Sequence, residues 1–303
     1  MKAIFTYINT LIDSDALDAK MSDSEKIDFA RIFPFILMHL SVFAVFYVGF
    51  SWAALLLCIF SYFIRMFAIT GFYHRYFSHK TFKAGRGVQF FFAFLGCSST
   101  QRGPLWWAAH HRQHHNHSDK PDDSHSPVQH NFWWSHMGWF LCQKNFPTNK
   151  RFVRDWLKFK ELELLNRYDW IAPVIYASLI AGFGWICENY FPVLGLSCLQ
   201  ALVWGFFVST VILYHGTFVI NSLSHKFGSR PFKTDDHSRN NPYLAIITLG
   251  EGWHNNHHFY PNTIRQGFRP NEFDPTYWIL CAMKKVGLVH SFKELPNHIK
   301  KQL

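Results

Sequence analysis

Apolar residues dominate positions 33–73, where Arg65 is the single charged side chain. One helix of that length would reach about 60 Å, twice the roughly 30 Å of a bilayer's hydrocarbon core. The run therefore predicts two spans, 33–50 and 52–73, turning near Gly49 and Ser51. Positions 170–186 and 194–220 carry no Lys, Arg, Asp or Glu, and the link between them, CENYFP, has room only for a hairpin. The pattern thus predicts an all-α integral membrane protein with four transmembrane helices in two hairpins. The intervening polar stretches, 74–169 and 221–262, form a helical cap; 1–32 is an N-terminal segment, 33–262 the main domain and 263–303 a C-terminal segment.

Composition agrees with this pattern. Aromatic residues make up 19% of the chain and charged residues 17%, below the roughly 25% charged of soluble domains. Charge also orients the spans. Of the 30 Lys and Arg, four precede residue 32, 14 lie in 74–169 and 11 follow residue 220; Arg65 is the last, so neither hairpin tip has one. The positive-inside rule places both termini and both polar stretches on the cytoplasmic side, and the net charge of +10 becomes a basic surface facing anionic lipid. Nucleic-acid binding, the other reading of a basic chain, is not needed. The N-terminus has acidic residues and no continuous apolar core, so it does not read as a cleaved signal peptide. Six cysteines without a CxxC pair argue against a disulfide framework. The C-terminal KKQL resembles a dilysine retrieval signal, but two lysines in a solvated tail are common.

Histidine placement changes the picture most. Only His39 and His215 lie inside apolar runs, where they read as hydrogen-bonded packing residues. The others concentrate in boxes just beyond the cytoplasmic ends of spans two and four and in the polar stretches: HRYFSH (74–79), HRQHH (111–115), NSLSH (221–225) and HNNHH (254–258). On a helix, the first and last His of an HxxHH box are about 40° apart and can share an ion, while the middle one is offset by about 100° and serves another. On the same helical geometry the two imidazoles of HRYFSH, five residues apart, diverge by about 140° towards different ions. Asn221 and His225 share a face. Nine histidines, His74, His79, His111, His114, His115, His225, His254, His257 and His258, therefore distribute over two metals. A structural zinc site closes with four ligands and usually includes Cys, which does not fit. A di-haem cytochrome would pair histidines inside opposing spans, and a transporter would place ligands at mid-membrane. Neither matches boxes beyond the helix ends. Imidazole suits iron, zinc and copper alike, so ligand type does not name the ion. Glu251, Asp119 and Asp122 are candidates to orient ligand imidazoles, or else solvated loop charges.

These boxes, with their flanks ITGFYHRYFSH, WWAAHHRQHHNHSD, WWSHMGW, INSLSH and GEGWHNNHHFYP, resemble the membrane-bound Δ9-type fatty-acid desaturases over roughly residues 33–262. The resemblance implies an O₂-dependent oxidoreductase with two iron ions held by the nine histidines, Asn221 reaching one iron through water. One metal is implied to take His74, His111, His115 and His257, and the other His79, His114, His225, His254 and His258. It further implies a bent apolar channel for a long-chain acyl group, touched by Cys58 and Tyr62 of span two, by Thr217 and by Trp107. Where animal acyl-CoA desaturases read RDHRxHH, this chain reads AHHRQHH, with Ala109 and His110, which is closer to bacterial-type members of a bacterial inner membrane; a eukaryotic source would place it in the endoplasmic reticulum. Acyl-CoA is the expected substrate, with acyl-phospholipid desaturation or fatty-acyl hydroxylation as alternatives. No CxxC iron ligands, GxGxxG fingerprint or HPGG segment occurs, so two electrons per turnover must come from an external donor such as ferredoxin, rubredoxin or cytochrome b5 with its reductase.

Overall fold

The computed structural model describes residue 9, residues 12–16 and residues 24–303; much of the segment 1–32 lies outside the described residues. Apart from one short antiparallel pair, Lys83–Ala84 with Val289–His290, the described chain is helices and loops. Its helices include, in order, α1 (Ile32–Val48), α2 (Trp52–Ser78), α3 (Arg86–Cys97), α4 (Pro104–His117), α5 (Ile171–Tyr190), α6 (Cys198–His225), α7 (Pro242–Ile247), α8 (His254–Phe259) and α9 (Pro275–Lys285), with further helices at Lys160–Arg167 and Asn297–Lys300 among the others.

Three of these, α2, α5 and α6, are long and apolar enough to cross a membrane, where the sequence pattern suggested four. The first apolar run is shorter because Gly49 takes φ 70, a left-handed conformation open to a residue without Cβ, and ends α1 at Val48. By helix rise α1 reaches about 26 Å, slightly less than a hydrocarbon core. Ser51 restarts the chain, its hydroxyl accepting from the Ala54 N–H at 3.1 Å. In the second hairpin the helix runs through CENY and the turn falls at residues 191–197, later than the polar letters suggested. Glu188 explains the extension: its carboxylate reaches across the turn to accept the Cys198 N–H at 2.8 Å.

The spans are tied together by a buried cation. Arg65 is fully buried and donates to Ser61 O at 3.0 Å, Thr210 Oγ1 at 2.7 Å, Ser209 Oγ at 2.6 Å and Ser98 O at 3.3 Å, with Tyr176 stacked 4.8 Å away. It thereby joins α2 to α5, α6 and the end of α3 without a carboxylate among these contacts. Beyond the spans one core cluster continues from Met66 and Phe72 through Leu105, Leu162 and Ile264 to Leu280 and Val289, so the end of α2 meets α3, α4 and α9 in a single packed layer.

Candidate metal centre

The end of α2 is not an ordinary α-helix. Residues Ala68–Ser78 are wound with i→i+5 hydrogen bonds, and the His79 N–H accordingly donates to the His74 carbonyl at 3.2 Å. Wider turns stack residues five apart. His79 therefore lies on the same face as His74, their rings 4.9 Å apart, and the divergence expected from α-helical spacing does not occur. Arg112, inside the second box, fixes α4 against this segment by donating to Ser78 O at 2.9 Å and to both oxygens of Asp155 at 2.8 and 3.1 Å.

Two groups of imidazoles result. His74, His79, His111, His115 and His257 form one; His114, His225, His254 and His258 form the other, each with ligand nitrogens within 4.8 Å of one another. His79 thus sits with the first group, correcting its implied place in the second. Within the HxxHH boxes, outer and middle histidines fall in different groups. Asn221 lines a cavity of about 50 Å³ with Trp107, Thr217, Met66, Ile69 and Thr70, into which His74, His111, His114 and His254 also face. Gln101 holds Thr217 Oγ1 at 3.0 Å. Cys58 and Tyr62 are not in that lining; they lie farther along α2, Cys58 packed with Val203 and Val208, and Tyr62 donating to Ile247 O at 2.5 Å.

Carboxylates surround the imidazoles on the outside. Glu251 stands 2.6 Å from His74 Nδ1, Asp123 2.9 Å from His114 Nδ1, Asp119 3.0 Å from His225 Nδ1 and Asp236 2.5 Å from His258 Nδ1. Asp122 is exposed and 3.8 Å from His117, so its neighbour Asp123 fills the orienting role instead. Asp119 adopts φ 58, a left-handed conformation that aspartate tolerates, and from it also binds Ser126 Oγ and the His237 N–H. Glu251 is in turn held by Arg75, which is fully buried and bridges it to Asp274 at 2.9 and 2.8 Å.

The donor set fits a pair of cations. Nε2 atoms meet at 3.0 Å for His74 and His257, 2.7 Å for His79 and His111, 2.9 Å for His257 and His115, and 3.1 Å for His225 and His254. Where Nδ1 carries the proton towards a carboxylate, as at His74 and His225, the facing Nε2 is a bare lone pair. His257 Nε2 faces both His74 and His115, and one ring nitrogen offers a single proton or a single lone pair, so hydrogen bonding alone does not satisfy the convergence while a cation does. His258 Nε2 is buried with no hydrogen-bond partner among the described residues. Burial, then neighbouring imidazoles, pushes His79, His111, His115, His254 and His257 well below the ordinary histidine value; burial takes His258 to about 4 despite Asp236. Such imidazoles are neutral at pH 7, the form that ligates metal. His114 moves the other way, because Asp123 outweighs its burial. Burial alone would raise Asp119, Asp123 and Asp236, but bonded histidines hold all three below the usual carboxylate range.

His110 belongs to neither group. It is buried against Trp106 and Trp139, at ring distances of 4.5 and 5.4 Å, rather than pointing towards solvent or a head group. His39 and His215 also stay outside both groups, joined in a chain in which His39 Nε2 lies 3.3 Å from His215 Nε2 and His215 Nδ1 lies 3.0 Å from His136 Nε2. Nothing in the sequence pattern marks Asp123, Asp236, Arg75 or Gln101; their contacts lie from nine to 176 residues away in the chain.

The family pattern for fatty acid desaturases matches residues 50–279, which contains both imidazole groups and every orienting carboxylate. This chain belongs to the fatty acid desaturase family. The desaturase is 33% identical over 255 residues to the sn-2 palmitoyl-lipid 9-desaturase of Nostoc sp. (strain 36), covering 82% of this chain and 84% of that protein. It is 31% identical over 275 residues to the sn-1 stearoyl-lipid 9-desaturase of Anabaena variabilis, covering 90% and 96%. It is also 34% identical over 279 residues to the icosanoyl-CoA 5-desaturase of Limnanthes douglasii, covering 88% and 72%. As a desaturase it is a fatty-acyl oxidoreductase, and its two histidine groups are able to bind metal.

Proposed function

We propose that this desaturase introduces a cis double bond at the Δ9 position of a saturated long-chain acyl group. The observation that carries this is the convergence of nine imidazoles in two groups beside one small cavity, which four of them line, at the ends of apolar helices. The five-member group would hold one iron and the four-member group, with Asn221 through water, the other. Iron bound there supplies the chemistry no side chain offers, activating O₂ to remove hydrogen from an unactivated methylene. The chain's own residues do the positioning. Glu251, Asp119, Asp123 and Asp236 keep protons on Nδ1 and aim Nε2 inward; Trp107, Thr217, Met66 and Ile69 form the wall against which the acyl chain lies; Cys58 and Tyr62, deeper along α2, limit its length. Overall, the acyl group, O₂, two electrons and two protons become the alkene and two waters, with the electrons brought by a separate carrier protein.

In this reading α1 is the fourth span, both termini and the metal centre face the cytoplasm, and the surrounding membrane is a bacterial inner membrane. Acyl-CoA is the proposed acyl carrier. A membrane acyl lipid is the second reading, favoured by the Nostoc and Anabaena relatives, whose names place them on lipid substrates. Membranes containing the protein, supplied with reductant and donor, should desaturate either stearoyl-CoA or stearoyl phosphatidylcholine, with mass spectrometry locating the double bond at carbon 9. A hydroxylated product, or unsaturation elsewhere, overturns the assignment.

A further inference from the structure

The loop 263–274 has two sides. Ile264 and Gln266 turn their carbonyls inward to Arg75 at 2.8 Å and to Asn256 at 3.0 Å. Arg265, Phe268 and Arg269 instead line a separate cavity of about 470 Å³, completed by Tyr277 of α9, Glu294 and Lys300. None of these residues belongs to the imidazole groups.

Three cations share this concavity with the Glu294 side chain and with Leu303. Arg269 is partly compensated from outside by Glu272 at 3.3 Å, while Lys300 has no ion pair among the described residues. Arg265 is held in place: its guanidinium lies 5.5 Å from the Tyr277 ring and its Nη2 donates to Arg269 O at 2.9 Å. Its Nε is buried and has no partner among the described residues. Like charges gathered in a hollow, one of them an oriented guanidinium, favour an anionic guest. A planar fork beside a mobile ammonium matches a phosphate better than a lone carboxylate, because three cationic donors can be shared among tetrahedral oxygens. The hollow is also much larger than a phosphate ion, and Phe268 and Leu295 give part of its wall an apolar character suited to an esterified group.

We propose that this cavity is a binding site for a phosphate ester held by Arg265, Arg269 and Lys300. Two sources share that chemistry, a soluble phosphate ester and a phospholipid head group. Titration calorimetry on the purified full chain distinguishes them, using glycerol 3-phosphate and, separately, dihexanoyl phosphatidylglycerol as probes. At least one probe saturates the wild-type protein, and Arg265→Gln and Lys300→Gln each weaken that probe by about tenfold or more. Lys285→Gln, which removes the same charge from an exposed position outside the cavity, leaves binding unchanged. Binding of glycerol 3-phosphate identifies a soluble ester as sufficient, and binding of the lipid probe alone identifies a head group. The proposal is overturned if neither probe saturates the wild type, or if Lys285→Gln weakens binding as much as Lys300→Gln.

Discussion

His79 sits one wide helical turn beyond His74, its N–H bonded to the His74 carbonyl at 3.2 Å and its ring 4.9 Å from the His74 ring. The contact puts both imidazoles of the first histidine box in one group, where they would share one ion rather than bridge two.

Metal analysis can separate these arrangements. His74→Ala and His79→Ala should each lower bound metal from two ions per chain towards one, and the double variant should lose no more than either single one. His114→Ala should empty the other group. A double variant that binds no metal would place His79 with His114 and contradict the grouping.

The carboxylates give a paired test. Asp123→Asn removes the acceptor for His114 Nδ1 and should weaken metal binding and activity by about 10- to 100-fold. Asp122→Asn, one residue away but exposed, should behave as wild type. Equal effects from the two substitutions would show that local charge, not orientation of the imidazole, matters.

His110 predicts acid lability. Burial first, and then the charge of Arg102, pushes its imidazole from 6.5 down to about 4. Below pH 6.5 the unfolded chain takes up a proton that the folded chain refuses until about pH 4, so stability falls as pH falls through that window. The full effect is on the order of 3 kcal/mol. His110→Phe keeps a ring between Trp106 and Trp139 without the titration. Its melting temperature should drop less between pH 7 and pH 5 than that of wild type, and its metal content should be unchanged.

Orientation is tested at Lys144 and Lys284. Cysteines placed there should react with a membrane-impermeant thiol reagent only after the membrane is opened. Labelling from the outside of intact cells would reverse the proposed topology.

Much of the centre was legible because histidine is rare enough in apolar surroundings for its spacing to carry meaning. Periodicity found the ends of the apolar runs to within a few residues and separated the middle from the outer histidines of each HxxHH box. It failed where the helix changes its winding, since nothing in ITGFYHRYFSH announces i→i+5 bonding. The orienting acids were harder. Asp122 and Asp123 are neighbours with the same chemistry, and only the backbone of the turn decides which one faces His114. Asp236 pairs with a histidine 22 residues away through a loop with no periodic pattern.

Arg65 has a consequence for the order in which the molecule is made. Its side-chain acceptors on α6, Ser209 and Thr210, are 144 and 145 residues later in the chain. A helix leaving the ribosome with an arginine among apolar residues enters the bilayer at a cost of about 2.5–3.5 kcal/mol, and until the second hairpin arrives the guanidinium has only the Ser61 and Ser98 carbonyls near it. The first hairpin is therefore an unfinished intermediate whose charge holds a place for α6. A chain truncated before residue 209 should remain in that state and be cleared by membrane proteolysis.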